Sequence, residues 1–537
     1  MSETEKNVLF SNTPENEYSE NVDIGHRKKY AQFFTPFPIA SFMAKWVTSG
    51  ENCHRILEPA FGLGIFSRIL KKAETEKFEI RGFETDKLII KEAEKIFKNS
   101  EGKYDIEISR QDYMQSDWEE KYDGVLCNPP YFKYHDYDNK AVLKETNRKL
   151  GTNLNGFTNL YTLFLLKSVY QLNDGGRAAY IVPSEFMNSG YGKEVKSFLL
   201  KSGTLRYIVV FDFRGKVFDD ALTTACILLL AKDKHHREIR FVTVKTQEEL
   251  NGLLGMTGAY PAVTDSEKAK TFKRNLANPD IKWRSYYQGT VTGKYKNLVP
   301  LSLYGKVVRG IATGDNRYFA FNREKQKRYA IKDENLVPCI TKSNDISGLF
   351  FTKKDFEKLA DENRNVFLID LKKSQDEKVA EYIRLGEKKG VHKKYLTSKR
   401  NPWYALENRS APAIWVSVFN RKGPRFVRNE AGVRNLTTFH CFYLDICKTD
   451  LLFAYFLTDI SKEIISDNRR EYGNGLNKFE PNDLNHAKIF DLNAADREIK
   501  SEILKNYGKF RKAEIRGVGG GRYTNALNGI FERLLKK

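Results

Sequence analysis

Tyr122-Asp123-Gly124-Val125-Leu126-Cys127-Asn128-Pro129-Pro130-Tyr131 joins a short apolar run to a stiff polar-aromatic tetrapeptide. The run predicts a buried strand, and two consecutive prolines stop it and hold the backbone that follows. An amide side chain, a proline carbonyl and an aromatic ring are thus presented at a strand's carboxyl end, where ligands bind in open α/β sheets. The amide and carbonyl oxygens can accept both hydrogens of an exocyclic amine while the ring stacks on the base that carries it. Asn128, Pro129 and Tyr131 are therefore the candidate catalytic residues, with Tyr131 also the candidate stacking residue.

Working outward, residues 55–58, 78–84 and 106–108 predict strands, and residues 39–47, 65–72 and 87–99 predict helices. Beyond the tetrapeptide, residues 157–172 and 192–201 predict helices, and 178–182, 205–211 and 223–231 predict strands. This alternation predicts a Rossmann-like, doubly wound α/β sheet. The last two strands have no long helix between them, which predicts an antiparallel hairpin at one edge. Residues 132–155 are polar and tyrosine-bearing and predict a long functional loop.

The chain has 537 residues, enough for two to four domains. Residues 1–30 are polar and lack the apolar core of a signal peptide, so they predict a flexible arm. No apolar run approaches the roughly 20 residues of a membrane span. Cysteines at 53, 127, 226, 339, 441 and 447 form no CxxC pair. That spacing speaks against a disulfide framework or a metal site and predicts a soluble protein of the reducing cytoplasm.

The net charge of +21 is unevenly placed. Residues 1–234 hold 33 basic and 33 acidic side chains, whereas residues 235–537 hold 57 and 36. A neutral catalytic domain at 31–234 joined to a basic, nucleic-acid-gripping domain at 235–537 accounts for that split. The second domain mixes strand-like pieces (239–244, 318–321, 414–419, 439–444) with helices such as 451–466 and lysine-rich helical stretches over 353–393, which predicts α+β. Gly517-Val518-Gly519-Gly520-Gly521 predicts a hinge before a short basic terminal helix. Arg309, Asn316, Arg421, Lys422, Arg425, Arg469, Arg470 and Lys478 lie in or beside turn-like segments, from which they can reach phosphates or base edges.

Upstream of the tetrapeptide, Glu58-Pro59-Ala60-Phe61-Gly62-Leu63-Gly64 sits between a strand and a helix, where glycines admit a ligand close to the backbone. It is not GxGxxG, so phosphate cradling is not the first expectation. Glu84 ends the next strand, where a carboxylate can accept both hydroxyls of a ribose. Asp112 ends the third, with Tyr113 beside it, suited to an adenine's amine and face.

With these motifs in this order, the first 234 residues resemble the S-adenosylmethionine-dependent amino methyltransferases of DNA, specifically the gamma class of adenine-N6 methyltransferases that includes the TaqI methyltransferase. The resemblance implies a methyltransferase sheet followed by a DNA-recognition domain. It implies Thr35, Glu58, Ala60 and Gly62 around the cofactor's methionine moiety, Glu84 on its ribose, Asp112 and Tyr113 near its adenine, and Asn128 bordering both cofactor and target. Phe61 departs from the small residue often found in that turn. By family position Tyr191, after Pro183-Ser184-Glu185-Phe186, is the second aromatic wall, with Tyr134 and Tyr137 as alternatives. Gly310-Ile311-Ala312-Thr313-Gly314-Asp315-Asn316-Arg317-Tyr318-Phe319 and residues 469–481 resemble recurring segments of TaqI-type recognition domains.

The implied activity is methylation of a flipped adenine in duplex DNA by a monomer without a metal, as the modification enzyme of a restriction-modification system whose endonuclease acts separately. Cys127 has no part in such chemistry and is expected to be a buried strand residue. The same tetrapeptide leaves open methylation of ribosomal RNA or of protein glutamine, and a role as the modification subunit of a larger restriction complex.

Overall fold

The apolar run at 122–127 forms a six-residue strand whose last four residues are buried, and it lies in the middle of the largest sheet. The computed structural model describes residues 11–71, 78–98, 105–133, 136–211, 225–262, 269–289, 291–372, 376–421, 423–444, 449–472 and 476–536. The chain divides into two units, Met1–Gly289 with Glu471–Gly475, and Thr290–Arg470 with Leu476–Lys537.

In the first unit, helices α1 (Thr13–Asn21), α2 (Ile24–Lys29) and α3 (Phe37–Thr48) precede the first strand. Then follow β1 (Arg55–Glu58), α4 (Ile65–Lys71), β2 (Glu79–Phe83), α5 (Lys87–Phe97), β3 (Asp105–Ser109) and β4 (Tyr122–Cys127). Next come α6 (Lys140–Leu150), α7 (Leu160–Gln171), β5 (Leu172–Pro183), α8 (Gly192–Ser202), β6 (Leu205–Phe211) and β7 (Ala225–Ala231). β8 (Glu238–Val244), α9 (Gln247–Gly258) and β9 (Ala269–Lys273) complete the sheet region. The nine strands run in the order β3-β2-β1-β4-β5-β7-β6-β8-β9. β1 to β5 pair in parallel. The order reverses between β1 and β4, the topological switch point at which such sheets open a ligand crevice.

Apolar side chains pack on both faces. One face carries Leu57, Val125, Cys127 and Tyr180 under α7 and α8; the other carries Ile56, Leu126 and Ile181 under α3 and α4. This alternation along the strands is the period-two pattern of a sheet covered on both sides.

Four expectations for the first unit are corrected. Residues 11–30 are not an arm. Glu15 and Tyr18 of α1 are 3% and 5% exposed, Glu15 pairs with the buried Arg68 of α4, and Asn12 accepts from Phe37 N at 2.6 Å. Second, β6 and β7 pair antiparallel, but not at an edge, because β8 adds parallel to β6 and β9 antiparallel to β8. Third, the break expected after residue 234 therefore falls inside the sheet, whose unit ends at Gly289. Residues 235–289 bring nine basic and six acidic side chains, so residues 290–537 keep +18 of the +21. Fourth, α6 occupies part of the expected loop at 132–155, anchored by buried Leu143 and Thr146.

The second unit is mixed α+β. A five-stranded sheet runs Gly305–Arg309, Phe439–Leu444, Ile414–Ser417, Phe426–Asn429, Phe350–Phe351. Ile414 and Val416 face a core with Phe453, Phe456 and Phe531, while Trp415 faces a second core with Ile340 and Phe439. The expected helix over 451–466 is broken into Thr449–Phe456 and Asp459–Ser466, with Thr458 Oγ1 capping the second by accepting from Ser461 N at 3.2 Å. Residues 318–319 end a short helix rather than starting a strand. The glycine stretch is no slack hinge. Gly520 joins helices Arg497–Ile515 and Gly521–Lys536, and a Cβ there would lie 2.2 Å from the Phe510 ring.

Candidate active site

The crevice at the switch point is lined by Thr35, Ala60, Gly62, Glu84, Asp112, Tyr113 and Asn128 from five separate chain segments. Glu58, Pro129 and Tyr131 are not among its lining residues, whereas Pro130 is. Seven of the expected cofactor residues are thus brought together, and Glu58 stands behind them.

Asn128 follows β4 directly. Its side-chain nitrogen donates to the Phe33 carbonyl at 2.6 Å and to the Thr35 hydroxyl at 3.1 Å. Both amide hydrogens are thereby committed, which orients the group. Its Oδ1 is buried and has no hydrogen-bond partner among the described residues. A buried acceptor left unmade costs about 1–3 kcal/mol, so this oxygen is poised for a donor that the protein does not supply.

Glu84 is built into the turn that follows β2. Its Oε1 accepts from Thr85 N at 2.8 Å and Asp86 N at 3.0 Å, and its Oε2 accepts from Gly62 N at 3.1 Å. Burial still raises its carboxyl above the ordinary value, against the pull of these three donors. Gly62 and Gly64 have φ of +57° and +68°, the left-handed region open to glycine. Phe61 does not obstruct the turn. Its ring packs over Gly82, where a Cβ would lie 2.4 Å from Phe61 Cδ2, and against Phe97 with ring centroids 5.8 Å apart. The glycine in β2 makes room for the large residue in the turn.

Glu58 is fully buried, and its Oε1 accepts from Ser67 of α4. Burial pushes its carboxyl up to about 8, more than the Ser67 hydrogen bonds and the nearby Arg68 lower it. Asp112 accepts from Met114 N and from the Tyr137 hydroxyl, both at 2.9 Å. That places Tyr137 beside Asp112, in the crevice. Tyr113 lines the crevice, while its hydroxyl donates inward to Gln171 at 2.5 Å. Cys127 is fully buried, and burial drives its thiol well above its usual range.

Tyr131 stands at one side of Asn128. Its ring stacks with Phe33 at 5.7 Å and meets Tyr161 edge-on at 6.2 Å, and its hydroxyl donates to the Ile181 carbonyl at 3.3 Å. Tyr191 is joined to this group through hydroxyls: it shares a hydrogen bond of 2.7 Å with Tyr161, accepts from Asn159 at 2.9 Å and donates to Glu185 at 3.2 Å. Tyr161 is thus the ring adjoining Tyr131, with Tyr191 behind it. Tyr134 lies outside the described residues.

Sequence reading missed Phe33, Tyr161, Glu185 and Glu15, the last a crevice residue from α1. The signal for α1 was Thr13-Pro14-Glu15, a proline and an acid in a first helical turn.

The basic candidates of the second unit separate into two kinds. Arg421 and Asn316 are exposed, and Arg309 is 65% exposed although it meets Glu480 at 3.0 Å. Lys478 meets Glu480 as well, at 2.6 Å, beside the exposed ring of Phe419. Arg425, by contrast, donates to the Ile346 and Gly348 carbonyls at 2.8 and 2.9 Å. Arg470 holds the buried Asp483 with two hydrogen bonds, and Arg469 caps the carbonyl of Ser466 at 3.1 Å. These three brace the fold. Lys422 lies outside the described residues. Among the described residues, no helix is long and apolar enough to cross a membrane.

Comparison with known proteins supplies the frame for this geometry. The family described as Eco57I restriction-modification methylase matches residues 28–218, and the C-terminal domain of the Type II methyltransferase M.Eco57I matches residues 290–518. The second match begins where the second unit begins. The chain is 48% identical to the Type II methyltransferase M.AccI of Acinetobacter calcoaceticus, over 97% of each chain. It is 23% identical to M.XamI of Xanthomonas campestris pv. amaranthicola, over 88% of each. Among solved structures, the Type IIL restriction-modification enzyme MmeI in complex with DNA shares the fold, with a TM-score of 0.53 and 13% identity over 99% of this chain and 75% of that one.

Proposed function

Because the chain belongs to the Eco57I-like Type II restriction-modification methyltransferases, we propose that it is a site-specific DNA adenine-N6 methyltransferase of the TaqI-like gamma class. The observation that carries this reading is the Asn128 carboxamide, whose nitrogen is spent on Phe33 and Thr35 and whose buried Oδ1 lacks a donor. Residues up to 289 are the catalytic domain, and residues 290–537 hold the DNA. The enzyme works as a monomer, and a cognate endonuclease cleaves separately.

An adenine amine is a poor nucleophile because its lone pair is delocalised into the ring. Asn128 Oδ1 and the Pro129 carbonyl accept its two hydrogens, the nitrogen shifts toward tetrahedral geometry, and its lone pair becomes available. Both acceptors act where positive charge develops, so they stabilise the transition state more than the ground state. The base must leave the duplex to reach them. Tyr131 stacks on it, a contact worth roughly 1–3 kcal/mol per base.

The crevice fits S-adenosylmethionine: Glu84 has a carboxylate at the end of β2 for a ribose, Asp112 and Tyr113 flank a space for an adenine, and the Gly62 turn gives close backbone approach. When bound, S-adenosylmethionine supplies the methyl group on its sulfonium. Crevice and tetrapeptide share Asn128, which sets the target nitrogen at the border of the cofactor site.

Incubation with labelled S-adenosylmethionine and, separately, duplex DNA, ribosomal RNA and a protein lysate tests the assignment. Label in N6-methyladenine of DNA is expected. Label confined to RNA or to glutamine of a protein overturns it.

A further inference from the structure

The crevice contains a carboxylate that the cofactor residues above do not include. Glu15 of α1 lines the crevice with Thr35, Ala60 and Gly62, yet it is 3% exposed. Its Oε1 accepts from Arg68, itself 1% exposed, while its Oε2 is buried with no hydrogen-bond partner among the described residues. Leaving one oxygen of a buried carboxylate unmade is costly, and burial raises this carboxyl in spite of Arg68. Around the single guanidinium of Arg68 stand two carboxyl groups, Glu15 and Glu58, each with a buried Oε2 that lacks a hydrogen-bond partner among the described residues, and of the two Glu15 lines the crevice.

The position of Glu15 is not accidental to a loose segment. Asn12 donates to the Thr35 carbonyl at 3.0 Å and accepts from Phe37 N, and Arg68 donates to the Ser11 carbonyl at 3.0 Å. One turn further along α1, the Tyr18 hydroxyl meets Asp86 at 3.4 Å, and His26 and Gln32 meet the same carboxylate at 2.8 and 2.7 Å. The segment is therefore fastened to both the α3 entrance and the loop after β2, with Glu15 held between them.

We propose that Glu15 is a cofactor-binding residue, whose Oε2 receives the α-ammonium group of the cofactor's amino-acid moiety. The segment before α3 thereby completes the cofactor site and selects ligands that carry a free amine. The ammonium supplies the donor that Oε2 lacks. Thr35 and Gly62, which the family resemblance gives to the methionine moiety, line the same crevice. The inference rests on the S-adenosylmethionine reading, and its test separates the two.

Binding is measured by calorimetry for S-adenosylmethionine, S-adenosylhomocysteine and 5′-methylthioadenosine, with Glu15→Gln, with the exposed control Glu17→Gln, and with the unaltered chain. S-Adenosylhomocysteine keeps the ammonium but loses the sulfonium charge; 5′-methylthioadenosine has neither. Glu15→Gln is expected to weaken the first two ligands alike, by about tenfold or more for the loss of a charged buried hydrogen bond. It should leave 5′-methylthioadenosine, and every ligand of Glu17→Gln, within about twofold, which also certifies that the variant is folded. Equal weakening of all three ligands, or none, overturns the assignment. Weakening of S-adenosylmethionine alone overturns it in favour of a sulfonium contact. Binding of none of the three by the unaltered chain overturns the cofactor reading itself.

Discussion

Asn128 and Thr35 are joined by a 3.1 Å hydrogen bond from the asparagine carboxamide to the threonine hydroxyl. The bond ties the end of β4 to the start of α3, 93 residues earlier in the chain. Together with the 2.6 Å bond to the Phe33 carbonyl, it decides which end of the amide is left without a partner among the described residues. The acceptor proposed for catalysis is therefore set by a residue that sequence reading gives to the cofactor.

On the proposed mechanism, replacing Asn128 by Ala removes an acceptor that acts in the transition state. The rate of methyl transfer in a single turnover should fall by about 100-fold or more. S-Adenosylmethionine affinity should stay within severalfold, because the residue's bonds are to Phe33 and Thr35. Equal losses in rate and affinity would show that Asn128 serves the cofactor instead.

Thr35→Val keeps the shape of the side chain and removes the acceptor that orients Asn128. The Phe33 carbonyl still holds one amide hydrogen, so the expected loss in turnover is smaller, on the order of tenfold for about 1–1.5 kcal/mol. The measurement that identifies a positioning role is a double cycle with Asn128→Ala: once Asn128 is gone, Thr35→Val should cost almost nothing further in rate.

Gly82→Ala should destabilise the catalytic unit by about 1–3 kcal/mol, as overpacking does, because its Cβ would meet Phe61 Cδ2 at 2.4 Å. Trimming the ring by Phe61→Leu in the same chain should restore much of the loss. Denaturant unfolding of the two single variants and the double variant gives the coupling. Additive effects would show that Phe61 and Gly82 do not depend on each other.

This pair explains part of what the sequence could and could not reveal. The strand at 122–127 and its tetrapeptide were legible because an apolar run meets two prolines, both local signals. Glu84 is legible because an acid directly after a strand is also a local pattern, whereas Asp112 stands three residues beyond β3, at the cap of a single turn. Phe61 looked like a flaw in the turn because its compensation, Gly82, lies in another strand. Helix α1 was hidden for a different reason. Its buried residues are Glu15 and Tyr18, and a helix that buries a carboxylate shows no apolar stripe. A boundary after residue 234 falls short because β8 alternates like a new antiparallel piece, while its parallel pairing with β6 is a long-range fact. The chosen arginines divide by partners that no local pattern records, such as Asp483 under Arg470.

Glu58 makes the stability of the ligand-free protein depend on pH. Burial raises its carboxyl from 4.5 to about 8, so the folded state holds a proton that the unfolded state releases. Its contribution to stability is fully present below pH 4.5 and is lost as pH rises toward about 8, with a slope of up to about 1.4 kcal/mol per pH unit in that window. Glu58→Gln should flatten the unfolding free energy between pH 5 and 8, measured by denaturant titration at several pH values. An unchanged slope would assign the dependence to other groups.

Arg421 and Arg470 should fail in opposite ways. Arg421 is exposed, so Arg421→Ala should leave the unfolding transition unchanged, weaken DNA binding and lower the slope of log affinity against log salt by about one. Arg470 is bonded twice to Asp483, which is 5% exposed. Arg470→Ala leaves that carboxylate buried without its cation and should destabilise the second unit by about 3–5 kcal/mol. Below the unfolding transition, its effect on DNA affinity should not vary with salt. A salt-dependent loss for Arg470→Ala without destabilisation would return Arg470 to the DNA-contacting surface, and an unchanged salt slope for Arg421→Ala would remove Arg421 from it.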